Sequence, residues 1–488
     1  MPTMKTSLCE ETLGRVNPSV KNVTYDRSEV AIGIVHFGPG AFHRAHQAVY
    51  TDDLLRLQAG DWGICEVSIN SATFRDAVQE QDNLYTLTVL DQQISQQIVG
   101  AIKEVLVAPE DPAAVIARLA DPQTRVVTLT VTEKGYCLTP DGDLDFTLPG
   151  IEYDLNNPKC PRTVIGYLVA GLRERYKIDL EPFVVISCDN LTDNGHRLAR
   201  AVRQFSATID STFGEWVMGK VHFPCTMVDS ITPATDQAVK ESVAEAIGVT
   251  DNWPVQREQF TQWVIEDIPN VELPPWNQVG AIFSSDVAGY EVSKLRILNG
   301  MHSSLAFTGL LCGFKTVEEA IKVDYLRAYI ISLCNSEIIP TIKPVVGLDL
   351  EVYSADILQR FENPAIRHFL SQIACDSTQK IPFRILGTIS DNLNAGRDCA
   401  GLCLAIAAWM HMIRNMACNN RPITDPLSER LVEIGRTTGL TDSEFVDSFL
   451  AIEEMFPRKL VDEKLFMDNV VRHYAALGED PRVALQQG

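Results

Sequence analysis

Lys294, Asn299 and His302 stand close together in the stretch from Lys294 to Gly313, KLRILNGMHSSLAFTGLLCG. A lysine amine, a side-chain amide and an imidazole aimed at one point suit proton transfer at a carbinol or a carbonyl. On a helix, Asn299 and His302 share a face because they are three apart. Lys294 is five before Asn299 and joins them only if the first turn bends or begins there. Leu298, Leu305 and Leu310 would then serve the core. Taken alone, the same residues also suit a buried helix start with a solvated lysine and a core histidine. A second stretch with chemical potential is Gly38-Pro39-Gly40, directly after the β-branched run AIGIVHF (31–37) and before AFHRAHQ (41–47). Strand, glycine turn and helix make the first unit of a dinucleotide fold. Gly38 permits the tight turn, and Gly40 lets the backbone approach a pyrophosphate held by the helix N-terminus. The third glycine of GxGxxG is replaced by His43, so a plain strand-to-helix turn stays open on these residues alone.

The elements that must position these groups are legible in outline. Strand patterns cover 31–37, 63–69, 84–90, 98–102, 125–132, 183–187 and 262–267, with another ending near Phe223. Helical patterns cover 111–120, 162–176 and 235–247, and residues 1–30 read as a polar lead-in. Alternating strands and helices predict a mostly parallel sheet, with ligands at the C-terminal strand ends. Thr132 and Glu133 follow one such end and Asn190 another; Met227 to Ser230 reads as a third polar turn. Beyond Asp286 only helical patterns remain: 294–314, 316–336, 349–361, 364–374, 398–416, 426–438, 442–455 and 461–476. The fold class is therefore α/β, with a Rossmann-type dinucleotide-binding domain over 1–285 and a mainly α-helical domain over 286–488.

Composition narrows the partners. The 488 residues are 45% hydrophobic and 22% charged, enough apolar material for two cores. A formal charge of −22 disfavours nucleic acid and anionic membrane surfaces, so a small-molecule substrate is expected. The N-terminal sequence lacks the apolar stretch of a secretory signal, and the most apolar run, 399–413, is shorter than a membrane span. Twelve cysteines without a disulfide framework predict reduced thiols in a cytoplasmic protein. No Cys/His array has zinc-ligand spacing, so no metal is expected. Oligomeric state is not legible; a monomer is compatible.

Seven stretches in order carry a resemblance: GIVHFGPGAFHRAHQAVYTD, DWGICEV, TVTEKGYC, SCDNLTDNGH, TMVDSITPAT, QWVIED and KLRILNGMHS. The chain resembles the polyol-specific long-chain dehydrogenases, the family of mannitol 2-dehydrogenase and fructuronate reductase (mannonate dehydrogenase). The resemblance implies metal-independent hydride transfer with NAD, NADP being left open. Lys294 would be the general base, Asn190 and Asn299 donors to the developing alkoxide, and His302 an orienting group. Glu291 would connect Lys294 to solvent, and Asp229 matches a further active-site position. Gly38, Gly40, Ala41, Phe42, Arg44, Thr132 and Glu133 would hold the cofactor. Glu66 lies too early to grip the adenosine ribose, while Arg75 is a candidate for a 2′-phosphate or a solvated helix residue.

Substrate choice points to a second cluster, Gln372 to Arg384. It resembles the uronate branch pattern QIAxDxSQKLPxR, whereas mannitol 2-dehydrogenases place an arginine where Gln372 stands. Gln372, Lys380 and Arg384 are the expected substrate-binding residues, the two cations serving a sugar carboxylate. Interconversion of D-mannonate and D-fructuronate is the leading expectation, followed by mannitol 2-dehydrogenase or another hexitol dehydrogenase. From a different class, a non-catalytic dinucleotide sensor would need no base.

Overall fold

In the computed structural model, which describes residues 6–487, the chain divides into two compact units between Val287 and Ala288. The first contains β1 (Ile32–Phe37), β2 (Gly63–Ser68), β3 (Tyr85–Leu90), β4 (Ser95–Val99), β5 (Ile102–Val107), β6 (Val126–Leu129), β7 (Val184–Ser187), β8 (Thr226–Asp229), β9 (Val255–Glu258), β10 (Gln262–Glu266) and β11 (Ile282–Ser284). Five of these form a wholly parallel sheet in the order β5-β2-β1-β6-β7. Two βα halves thus run outward in opposite directions from β1, and the order reverses between β1 and β6. That reversal opens a crevice at the C-terminal strand ends.

The sheet is buried on both faces, which explains its nearly continuous apolar strands. Val35, Phe37, Cys65, Val67, Val127, Leu129 and Val185 pack into one core, while Ile34, Ile64, Val126, Val184 and Ile186 pack into the other. The period-two alternation therefore separates two cores, not core from solvent. Two three-stranded sheets flank this frame, β4-β3-β9 and β11-β10-β8.

The strand expected over 98–102 straddles two elements: β4 ends at Val99, and β5 begins at Ile102 in a different sheet. Met227 to Ser230 is mostly strand, since β8 covers Thr226–Asp229 and pairs antiparallel with β10; no strand ends near Phe223. β9 and β11 escaped notice because each is short and carries polar residues. The lead-in is packed down: Leu8, Val16 and Val20 join Val243 and Ile247 in a satellite core. Buried Arg27 donates to the carbonyls of Asp82, Gly100 and Ile102.

The second unit contains no strand among its described residues, only isolated bridges. Its central helix, Ala400–Cys418, is longer than the apolar run suggested and is long and apolar enough to cross a membrane. Most of it is buried inside the fold, and it packs against helices Gly300–Leu311 and Lys464–Glu479, as a core helix does. The helix expected over 364–374 shrinks to Leu370–Ile373, because residues 364–368 run as turn and irregular backbone and Phe369 bridges to Thr316. Three helical stretches contain π turns: Lys294–Asn299, Cys334–Ile338 and Pro382–Leu386.

Beneath the β1 turn lies a stack of buried ionisable groups. The His36 and His43 rings lie face to face with centroids 3.3 Å apart. His43 Nε2 comes within 3.0 Å of Glu66 Oε1 without the alignment of a hydrogen bond. Burial pushes both imidazoles down to about 3 and raises the Glu66 carboxyl from 4.5 to about 7. A carboxyl with a raised folded value contributes stability that is fully present below 4.5 and lost as pH rises through about 7. His36 and His43 stay neutral across that window. Glu66→Gln, which never ionises, escapes the loss. Its stability relative to the parent should therefore rise between pH 4.5 and 7 in urea titrations, whereas a pH-independent difference would contradict the raised value.

Candidate active site

The C-terminal ends of β1, β2 and β6 surround a cavity of about 890 Å³, lined among others by Gly38, Gly40, Ala41, Arg44, Asn70 and Thr132. Gly38 has φ +104°, and a Cβ there would lie 2.1 Å from the carbonyl oxygen of Thr130. Only glycine fits that turn. At Gly40 a Cβ would meet nothing closer than Gly38 O at 3.8 Å, so the room there faces the cavity and not packed protein. Its size and glycine-lined floor suit a dinucleotide.

The other candidate cofactor residues divide into liners and supports. Buried Arg44 donates through Nε to Pro39 O at 3.3 Å and through Nη1 to Trp253 O at 2.8 Å, which holds the turn. Thr132 lines the cavity with φ +66°, a backbone conformation costly for a β-branched residue. Phe42 stacks on His46 and Glu133 stands exposed, and neither lines the cavity. Glu66 is fully buried in the His36–His43 stack and out of reach of a ribose. Arg75 is paired with Asp76 and Glu110, which leaves it poorly suited to a 2′-phosphate.

Asp189 was missed in the sequence, although it directly precedes Asn190. Its carboxylate accepts hydrogen bonds from the backbone N–H groups of Val131 and Thr132, each at 2.9 Å, and from Tyr136 Oη at 2.7 Å. It joins the ends of β6 and β7 and fixes the loop that carries Asn190. Asp229 ends β8 and is buried opposite Gln262 of β10.

In the second unit, the spacing of Lys294 and Asn299 is resolved by backbone geometry. Lys294–Asn299 is a π turn between helices Val287–Ser293 and Gly300–Leu311. Closure by i→i+5 bonds places positions five apart one turn from each other, and such turns are frequent at functional sites. Glu291, Lys294, Asn299 and His302 therefore follow one face, while Ile297, Leu298 and Leu305 are buried.

His302 is itself buried, stacked on Phe361 with centroids 4.2 Å apart and edge-on to His368. Burial first, then His368, Arg360 and Arg384, holds its pKa well below the usual histidine range, so the ring is neutral. Its Nε2 has no hydrogen-bond partner among the described residues. Arg384, on the π turn Pro382–Leu386, donates to Ser303 Oγ at 3.2 Å, and burial lowers its guanidinium to about 10. The structure thus brings Arg384 to the Lys294 helix. Arg360, a second cation acting on His302, was not anticipated, since nothing in its local sequence singles it out.

The other two substrate candidates are placed differently. Lys380 Nζ donates to the carbonyls of Cys375 at 2.6 Å and Ile373 at 3.4 Å, closing its own turn. Gln372 lines a separate cavity of about 490 Å³ with Met412, Met416 and Arg421.

Comparison with known proteins gives a consistent picture. The mannitol dehydrogenase Rossmann domain model matches residues 32–278, and the mannitol dehydrogenase C-terminal domain model matches 286–478. The chain is 37% identical to the D-mannonate oxidoreductase of Escherichia coli K12 over 95% of its length and 96% of the relative's. It is also 37% identical to a mannitol 2-dehydrogenase of Aspergillus fumigatus, over 92% of each chain. Among solved structures, it is similar to the Pseudomonas fluorescens mannitol 2-dehydrogenase ternary complex with NAD and D-mannitol, with 34% identity, a TM-score of 0.82 and 99% of each chain covered.

Gly38→Ala tests the turn. The strained φ and the contact with Thr130 should cost on the order of 2–4 kcal/mol. Urea denaturation should show that loss, together with weakened NAD binding by fluorescence titration. Unchanged NAD binding would separate the turn from the dinucleotide.

Proposed function

The chain belongs to the mannitol dehydrogenase family, whose two domains its sequence matches in order, and from that premise we propose that it interconverts D-mannonate and D-fructuronate with NAD. The observation that carries the sugar-acid reading is Arg384, whose guanidinium donates to Ser303 beside neutral His302, one helical turn from Asn299. A hexitol has no charge for it to meet. A hexonate carboxylate does, and arginine binds carboxylates through paired N–H donors.

NAD held in the cofactor cavity would supply the hydride chemistry at the carbinol or carbonyl carbon. Gly38, Gly40, Ala41, Arg44 and Thr132 line or brace its cavity. Lys294 accepts the hydroxyl proton as the alcohol is oxidised, and Glu291 passes that proton toward solvent. Asn190 and Asn299 donate N–H bonds to the nascent alkoxide, worth about 3–4 kcal/mol each if they act as oxyanion-hole donors do. The unpartnered Nε2 of His302 orients a substrate hydroxyl. Asp229 is assigned to the site by resemblance, without a derived role.

Mannitol–fructose interconversion is the second reading. It is favoured by the equal identity to a mannitol 2-dehydrogenase and by the engagement of Lys380 with backbone carbonyls. A dinucleotide sensor is the least economical reading, because it leaves Lys294 without a purpose.

Absorbance loss of NADH with D-fructuronate, compared with D-fructose, decides between the substrates. Clear preference for fructose selects the second reading, and no turnover with any ketose or keto-uronate overturns both. Lys294→Ala should lower kcat by about 10²- to 10⁴-fold with NAD affinity retained. Arg384→Leu should raise KM for the hexonate by about tenfold or more while moving KM for mannitol little. An equal change for both substrates would remove the carboxylate from its role.

A further inference from the structure

Three metal-ligating side chains of different types meet at the surface of the first unit, apart from the cofactor cavity. Asp193 Oδ1 lies 2.5 Å from His196 Nδ1, and Cys225 Sγ lies 3.6 Å from that nitrogen and 3.7 Å from that oxygen. Asp193 directly precedes helix Asn194–Ile209 without a side-chain capping bond, His196 sits in the helix's first turn, and Cys225 immediately precedes β8.

The trio resembles a nucleophilic triad in composition and not in geometry. A relay needs both imidazole nitrogens, one for the thiol and one for the carboxylate. Here sulfur and oxygen address the same nitrogen. Three donor atoms that converge on one another are what a metal ion requires. Tetrahedral zinc, with Zn–S near 2.3 Å and Zn–N or Zn–O near 2.0–2.2 Å, spans S–N and S–O edges of roughly 3.5–3.7 Å. The observed 3.6 and 3.7 Å meet that requirement. The third edge must open to roughly 3.3–3.4 Å. It can do so by side-chain rotation, because His196 and Asp193 are 65% and 54% exposed.

The sulfur end is already fixed. Cys225 is buried, and its backbone N–H donates to Glu266 at 2.8 Å. Asn194 ties the helix start to β8 by accepting from Thr226 N at 2.9 Å and donating to Thr226 O at 3.0 Å. One ligand is thus rigid and two can adjust, with the exposed side open for water as a fourth ligand. A thiolate, a carboxylate and a neutral imidazole together balance a divalent charge.

We propose that Asp193, His196 and Cys225 bind one divalent transition-metal ion of the zinc type and thereby fasten the loop that follows Asn190 to the start of β8. Sequence spacing hid this site, because Cys225 lies 29 residues beyond His196.

Cobalt(II) is the probe. Added to metal-free protein, Co²⁺ should give a thiolate-to-cobalt charge-transfer band with tetrahedral d–d absorption, and Zn²⁺ should displace it. The band should vanish in Cys225→Ser and fall sharply in His196→Gln, whose exposed position spares the fold, while Cys418→Ser retains it. Zn²⁺ should raise the thermal midpoint of the parent and not that of Cys225→Ser, with equal midpoints for the two in chelator. Absence of the band from the parent, or its persistence in both Cys225→Ser and His196→Gln, would overturn the assignment.

Discussion

The Asp189 carboxylate holds the ligand edge of the first unit together. By accepting from Val131, Thr132 and Tyr136, it ties the end of β6 to the end of β7 and keeps Thr132 at a positive φ that the residue would not choose. The next residue is Asn190, and four further on Asn194 donates to the Asp189 and Thr226 carbonyls. Cofactor edge, Asn190 loop and the start of β8 therefore form one hydrogen-bonded frame, in which neutralising a single carboxylate would loosen every part.

Below that frame the glycine turn rests on polar material. His36 Nε2 lies 3.0 Å from Gly38 O and 2.9 Å from Thr130 Oγ1, and Nδ1 lies 2.7 Å from Thr128 Oγ1. An apolar residue at position 36 would pack, yet it would take from the buried Thr128 hydroxyl its His36 partner. The burial that keeps His36 and His43 neutral also raises Glu66. One low-dielectric pocket thus sets three protonation states together.

The parallel core was legible because its strands are apolar and regularly spaced between helices. Gly38 was legible because a turn of that kind tolerates little else. Boundaries failed where local pattern was ambiguous. Val99 and Ile102 are separated by two residues and belong to different sheets, a distinction made by long-range pairing alone. Asp189, Arg360 and the Cys225 cluster were not legible, since each draws its meaning from groups distant in sequence. Lys380 read as a free cation because its carbonyl partners, main-chain atoms of Ile373 and Cys375, leave no mark on residue type. The α-helical periodicity around Lys294 concealed a π turn, because an apolar stripe survives one extra residue.

That extra residue acts as a mechanical shim. An α-helix advances about 100° per residue, so removing one position from Lys294–Asn299 would restore regular winding while rotating the preceding turn against the following one by about that angle. If Gly300–Leu311 kept its packing, with His302 against Phe361, the lysine would swing away from the amide and imidazole it now accompanies. If the lysine kept its place, His302 would leave Phe361, and Gly300 would lose its seat beside the Arg384 carbonyl and Ile338. Those two neighbours belong to the other π turns of the unit. Three locally wide windings meet at one glycine, so the register of each is set by the other two.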